Sequence, residues 1–160
     1  SGVTPNAIVE RRQYSGRDAY MSRRDYLHIP VRRALEKDGW TITDDPLALL
    51  FRGILLKADL GARWNFAAEK NGWKIAVEVT DFNSQSATSQ LEKMMGQVQL
   101  YQWALDEQEP DRALFLAISE YVYNEFFRKR PLFQTVVERI GINLVVFDQT
   151  QEVILRWIKQ

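Results

Sequence analysis

Trp73-Lys74-Ile75-Ala76-Val77-Glu78-Val79-Thr80 is the stretch on which the fold turns. Apolar and β-branched residues dominate it, as a strand requires. Just before it stands Asn71-Gly72, the dipeptide that best marks a tight hairpin. Working toward the amino terminus, residues 49–59 and 63–69 read as two more extended stretches, the second joined to 73–80 by that turn. Trp40-Thr-Ile-Thr43 reads as a strand or strand approach, and Asp44-Asp-Pro46 as a turn. Residues 22–38 carry Leu27, Val31, Ala34 and Leu35 at helical spacing, with Gly39 closing the run. Pro30 either opens the regular part of that helix or kinks a longer one.

Toward the carboxyl terminus, polar residues 83–89 lead into a helix from Gln90 to about Glu107. Its apolar stripe is Leu91, Met94, Met95, Val98 and Tyr101. Residues 112–118 form a buried strand, and residues 120–140 are helical but broken at Pro131. Residues 142–147 and 152–158 make a last pair of strands around Asp148-Gln-Thr-Gln151. A helix crossing over between two buried strands predicts a parallel pair inside a mixed sheet. The fold class is therefore α/β (α+β), a mixed β-sheet flanked by helices in a single domain. Residues 1–20 read as a leader or flexible N-terminal segment and residues 21–160 as the folded domain.

Composition narrows the chemistry. The 160 residues are 46% hydrophobic, enough for a real core. Lys plus Arg and Asp plus Glu both number 21, so the chain lacks the basic surplus that grips long nucleic acid. With no cysteine, disulfides and thiolate chemistry are excluded, which fits a reducing cytoplasm. His28 is the single histidine, which excludes a His-rich metal site; on an amphipathic helix it reads as a packing residue. No apolar run approaches the ~20 residues a membrane helix needs.

The chemistry candidates sit on strands. Asp59 ends an apolar stretch, and Glu78 is embedded in Ile75-Ala-Val-Glu-Val79, where a charge is expensive unless paired or metal-bound. Two strand-borne carboxylates can converge on one Mg²⁺, a hard cation that takes oxygen ligands and keeps several waters. Against this stands a solvated Glu78, or one paired with Lys74 or Arg63. On the following helix Lys93, Gln97 and Tyr101 are spaced to share one face. The five tryptophans read as core or interface residues, not a base-stacking platform. Arg128-Lys129-Arg130 reads as a solvated helix end, with phosphate contact as the alternative. Tyr121, Tyr123, Phe126, Phe127 and Phe133 crowd a segment that Pro131 interrupts, so some are expected at an interface.

With those residues in view, the chain resembles the XisH family of cyanobacterial excision-controlling factors. The resemblance rests on His28-x-x-Val31-Arg32-x-Ala34-Leu35-Glu36-Lys37-Asp38-Gly39-Trp40 with Asp45-Pro46-Leu47, then Ala58-Asp59-Leu60-Gly61-Ala62 and Ala67-Ala68-Glu69-Lys70. It continues through Lys74-Ile-Ala-Val-Glu78, Met95-Gly96-Gln97, Glu107-Gln-Glu-Pro110 and Glu152-Val-Ile-x-x-Trp157-Ile158. It implies an endonuclease-like fold of the PD-(D/E)XK type and a role in programmed excision of the fdxN element. A small XisI partner and a separate recombinase are implied with it. By position, Asp59 and Glu78 become the motif carboxylates and the metal ligands, with Mg²⁺ as the implied cofactor. Glu36 is a third carboxylate by fold analogy, its alternative being a solvated partner of Arg32 or Arg33. The family motif carries lysine two residues after the glutamate, where this chain has Thr80. A threonine supplies one hydroxyl and no charge, so the chemical step lacks a component.

Three functions compete at this point. The first is an accessory factor with a degenerate site, acting through a XisI-like partner and weak DNA contact. The second is an active Mg²⁺-dependent endonuclease whose lysine has migrated to Lys93. The third is a non-enzymatic partner-binding module, such as half of a toxin–antitoxin-like pair. In each, the chain is expected in a homo-oligomer or hetero-complex.

Overall fold

The computed structural model describes residues 16–64 and 72–160, with side chains from Tyr26 onward. The first helix, α1, runs Gly16–Lys37 and carries Pro30 in its interior, so the proline lies within a longer helix and does not open it. The expected leader therefore divides: residues 1–15 lie outside the described residues, and 16–20 belong to α1. Gly39, at φ +101°, adopts the backbone that a helix end demands and that side chains resist.

After α1 come β1 (Thr41–Asp44), β2 (Leu47–Phe51), β3 (Ile54–Ala58), β4 (Leu60–Trp64) and β5 (Trp73–Val79). Helix α2 (Ala87–Gln108) precedes β6 (Arg112–Ser119), and a short turn α3 (Glu120–Val122) runs into a π-helical turn at Tyr123–Phe127. Helix α4 (Pro131–Ile140), β7 (Asn143–Asp148) and β8 (Val153–Ile158) complete the chain.

The main sheet has the order β1-β4-β5-β6-β7-β8, while β2 and β3 pair only with each other. β5, β6 and β7 are parallel, as the crossover helices demand, and the remaining pairs are antiparallel. Because β5 is covered on both faces, it reads as a nearly continuous apolar run and not as an alternation. Ile75 and Val77 join Phe115, Val145 and Phe147 under α1. Ala76 joins Leu116, Ile118 and Val146 under α2, whose Leu91, Met94, Val98, Tyr101 and Leu105 are the stripe's buried members.

Two sequence expectations change. The extended stretch 49–59 is a hairpin that turns at Arg52-Gly53, both at positive φ. Arginine is an uncommon residue in that conformation, which is why the turn is silent in the sequence. The stretch at 63–69 begins earlier, at Leu60; residues 65–71, including Asn71 and Ala67-Ala68-Glu69-Lys70, lie outside the described residues. The Trp64–Trp73 pairing makes the β4–β5 connection longer than a two-residue turn.

The aromatic crowd is absorbed. Phe126, Phe127 and Phe133 pack around Phe82, with ring centroids 5.2–5.9 Å apart. Tyr121 alone of the five lies open, 63% exposed. Phe82, on the loop after β5, supplies the missing partner for a kinked helical segment. The exposed apolar side chains instead include Leu50, Ile54 and Leu55 on the hairpin. Of the tryptophans read as core or interface residues, Trp40 is buried, while Trp73 and Trp103 are 57% and 53% exposed.

Candidate functional site

Asp59 occupies the junction where the chain leaves the β2–β3 hairpin and enters the main sheet. One step beyond the Leu60–Val77 pair, it stands across from Glu78. The two residues bond reciprocally to each other's strands. Val79 N donates to Asp59 Oδ2 at 2.8 Å, and Asp59 N donates to Glu78 Oε1 at 3.3 Å. Glu78 shares a face with Ala76, the face covered by α2. At 8% exposure it is buried, not solvated, and Lys74 turns instead toward Asp111, 3.8 Å away.

A cavity of about 340 Å³ opens at the carboxyl end of β5. This is the end of parallel strands where ligands of α/β proteins collect. Asp59, Glu78, Val79, Thr80 and Asp81 line its floor; Gln90, Lys93 and Gln97 of α2 form one wall, and Leu27 and His28 of α1 another. Thr80 continues the sheet, its N–H bonded to Ala117 O at 3.1 Å, so residue 80 is held at the cavity by backbone pairing.

The structure thus brings together Asp59, Glu78, Thr80, Lys93 and Gln97. Tyr101 lies behind them, buried, its hydroxyl donating to Lys57 O at 3.1 Å. Burial first, then the charges of Glu78 and Asp59, push its phenol up to about 12. Glu36 is not among the cavity residues; its carboxylate lies 3.8 Å from Arg32 Nε. The alternative reading of Glu36 as a partner of Arg32 is the one this geometry matches.

The basic run before Pro131 is engaged locally. Lys129 pairs with Glu125, Arg128 bonds Asn124, and Arg130 lies 4.3 Å over the Phe126 ring.

Asp81 and Gln90 escaped the sequence reading, and His28 was read there as a packing residue, not as part of a site. Gln90 Oε1 accepts from Asn83 N and Asn83 Oδ1 from Ser86 N, an Asx-type turn that fixes the loop into α2. Asn83 and Ser86 ahead of the helix were the available signal. His28 had none, because its cavity position depends on Asp45, seventeen residues away. His28 Nε2 lies 2.8 Å from Asp45 Oδ1, and Arg32 Nη1 donates to Asp45 Oδ2 at 2.6 Å. Burial pushes the Asp45 carboxyl up, but the hydrogen bonds and charges of His28 and Arg32 outweigh it and hold it below the usual range.

Asp59 and Glu78 bring two carboxylates to one cavity. Among the described residues, no group of three or more His, Asp or Glu is arranged to hold a metal ion. That donor set fits Mg²⁺, which binds through one or two carboxylates and keeps its waters, and not Zn²⁺, which takes three or four protein ligands.

Comparison with known proteins covers most of the chain. The family model described as "XisH protein" matches residues 21–155. A crystal structure of an fdxN element excision controlling factor protein from Anabaena variabilis is 40% identical, with a TM-score of 0.74, covering 84% of this chain and 99% of that one. An XisH family protein from Nostoc punctiforme PCC 73102 is 38% identical at the same TM-score, covering 84% of this chain and 100% of that one. Among curated proteins, none matches. Among the described residues, no helix is long and apolar enough to cross a membrane.

Proposed function

The chain belongs to the XisH family, and from that premise we propose that it is an accessory factor in programmed excision of a DNA element. Its fold is of the restriction-endonuclease-like, PD-(D/E)XK type, and its site is degenerate. Asp59 and Glu78 would hold Mg²⁺, which in such sites polarises a phosphodiester and helps generate hydroxide. The observation that carries this reading is the reciprocal bonding of Asp59 and Glu78 across the floor of one cavity, with Thr80 beside them. Thr80 stands where a lysine would stabilise developing charge, and a neutral hydroxyl makes a poor substitute. What remains suits cation binding and phosphate contact better than turnover. The chain's neutral net charge points the same way: DNA affinity has to come from a local site or from a partner. A XisI-like protein, implied by the family, is that partner.

Lys93 favours a second reading. Its position on the α2 wall puts an ammonium at the same cavity, so an active nuclease with a migrated lysine is the alternative. Cleavage of supercoiled and branched DNA in Mg²⁺ and Mn²⁺ separates the two. The accessory role predicts almost no cutting; robust cutting, abolished by both Asp59→Ala and Lys93→Ala, would establish the nuclease instead.

A further inference from the structure

His28 is the chain's only histidine, and the structure sets it at the cavity wall with one nitrogen engaged and the other not. Nε2 lies 2.8 Å from Asp45 Oδ1. Asp45 also accepts from Arg32 and is held in its carboxylate form, so it acts as acceptor and Nε2 carries the proton. With the ring neutral, Arg32 remains as the cation on Asp45 and Nδ1 is a lone-pair acceptor. It is buried and has no hydrogen-bond partner. A buried polar atom left unsatisfied is destabilising, and a bound group that completes it would remove that cost.

A carboxylate on one ring nitrogen and an open acceptor on the other is the arrangement by which histidines support metal centres. Here the two carboxylate anchors are Asp59 and Glu78, and a hard cation on two carboxylates keeps several waters. Those waters are donors, and the cavity that would contain them is lined by His28.

We propose that His28 is an outer-sphere positioning residue of a divalent-cation site: Asp45 fixes its tautomer, and Nδ1 accepts a hydrogen bond from the hydration shell of a cation on Asp59 and Glu78. The histidine χ2 torsion is soft, and Nε2 lies nearer the turning axis than Nδ1, so a ring turn reorients Nδ1 while disturbing the Asp45 contact less. Arg32 contributes by holding Asp45 from the same helix face, four residues on. The inference rests on the cavity being a cation site, as proposed above.

One histidine gives one set of imidazole signals, so the test needs no assignment. Long-range ¹H–¹⁵N spectra of the ¹⁵N-labelled full chain are recorded during titration with Mg²⁺, beside calorimetry with Mn²⁺. The expected result is a Nε2-protonated ring in the free protein, with Nδ1 shifting as Mg²⁺ saturates and Nε2 nearly still. Asp59→Ala should abolish that shift. His28→Gln keeps an N–H donor for Asp45 but carries its acceptor on the amide oxygen, off the Nδ1 position, and should weaken Mn²⁺ affinity about tenfold. Saturable Mg²⁺ binding with an unmoved Nδ1, or unchanged Mn²⁺ affinity in a folded His28→Gln, would overturn the role of His28 and leave the cation site standing. Absence of Mg²⁺ and Mn²⁺ binding at millimolar concentration in the wild-type chain would overturn both.

Discussion

Replacing Thr80 by lysine is the perturbation that best probes the proposed degeneracy of the site. Thr80 lies beside Glu78 at the cavity floor, where its backbone is pinned to Ala117, so a longer side chain at residue 80 has a defined origin. The cavity's 340 Å³ equals roughly eleven water volumes at ~30 Å³ each, room for the added methylenes and an ammonium. The ammonium would enter beside the carboxylates of Asp59 and Glu78, whose charges add to burial in raising Tyr101. A positioned acid–base group contributes about 10²–10⁴-fold to rate, which corresponds to ~3–5 kcal/mol in the barrier. Nicking of supercoiled plasmid in Mn²⁺, stopped with chelator over a time course, reads this directly. The wild-type chain should leave plasmid almost intact, and Thr80→Lys should gain at least a hundredfold, with Asp59→Ala in the same background silent. A folded Thr80→Lys that binds Mn²⁺ yet cuts no better than wild type would refute the idea that the missing lysine silences the site.

Asp45 gives a pH signature. Its folded-state carboxyl is depressed by His28 and Arg32, so its stabilisation is present above the unfolded aspartate value of about 3.9 and fades as pH falls through the lower folded value. Asp45→Asn should therefore cost about 1–3 kcal/mol at pH 7 by denaturant unfolding, with the gap to wild type closing below pH 4. Phe126, fully buried between Phe82 and Phe133, anchors the loop that follows Thr80. Phe126→Ala should cost about 4 kcal/mol, a fall in Tm on the order of 10 °C by calorimetry. Sedimentation should find the protein self-associated or bound to a co-expressed XisI-like partner; a strict monomer at tens of micromolar that ignores that partner would remove the assembly expectation.

The main sheet was legible because its strands declare themselves: Trp73–Val79 and Arg112–Ser119 are apolar runs bounded by breakers, with a striped helix between them. The hairpin was not, since Arg52-Gly53 lacks the Asn or Asp that usually signals such a turn, and Leu47–Ala58 then passes for one long extended stretch. Asp59 and Glu78 stood out as charges among strand residues, and antiparallel register did the rest. His28 could not stand out, since its orientation depends on a loop carboxylate that only tertiary structure brings near. The aromatic segment misled for the converse reason: Phe82 lies in a polar loop, and nothing local marks it as the residue that Phe126, Phe127 and Phe133 close upon.

The central claim is that Asp59 and Glu78 form one cation site without a lysine at its chemical position. A crystal of the full chain soaked in Mn²⁺, with anomalous differences measured, tests it in one experiment. A single strong peak in contact with both carboxylates, with water completing its shell, is the predicted result. No peak at these residues in millimolar Mn²⁺, or a peak held by other side chains, would contradict it.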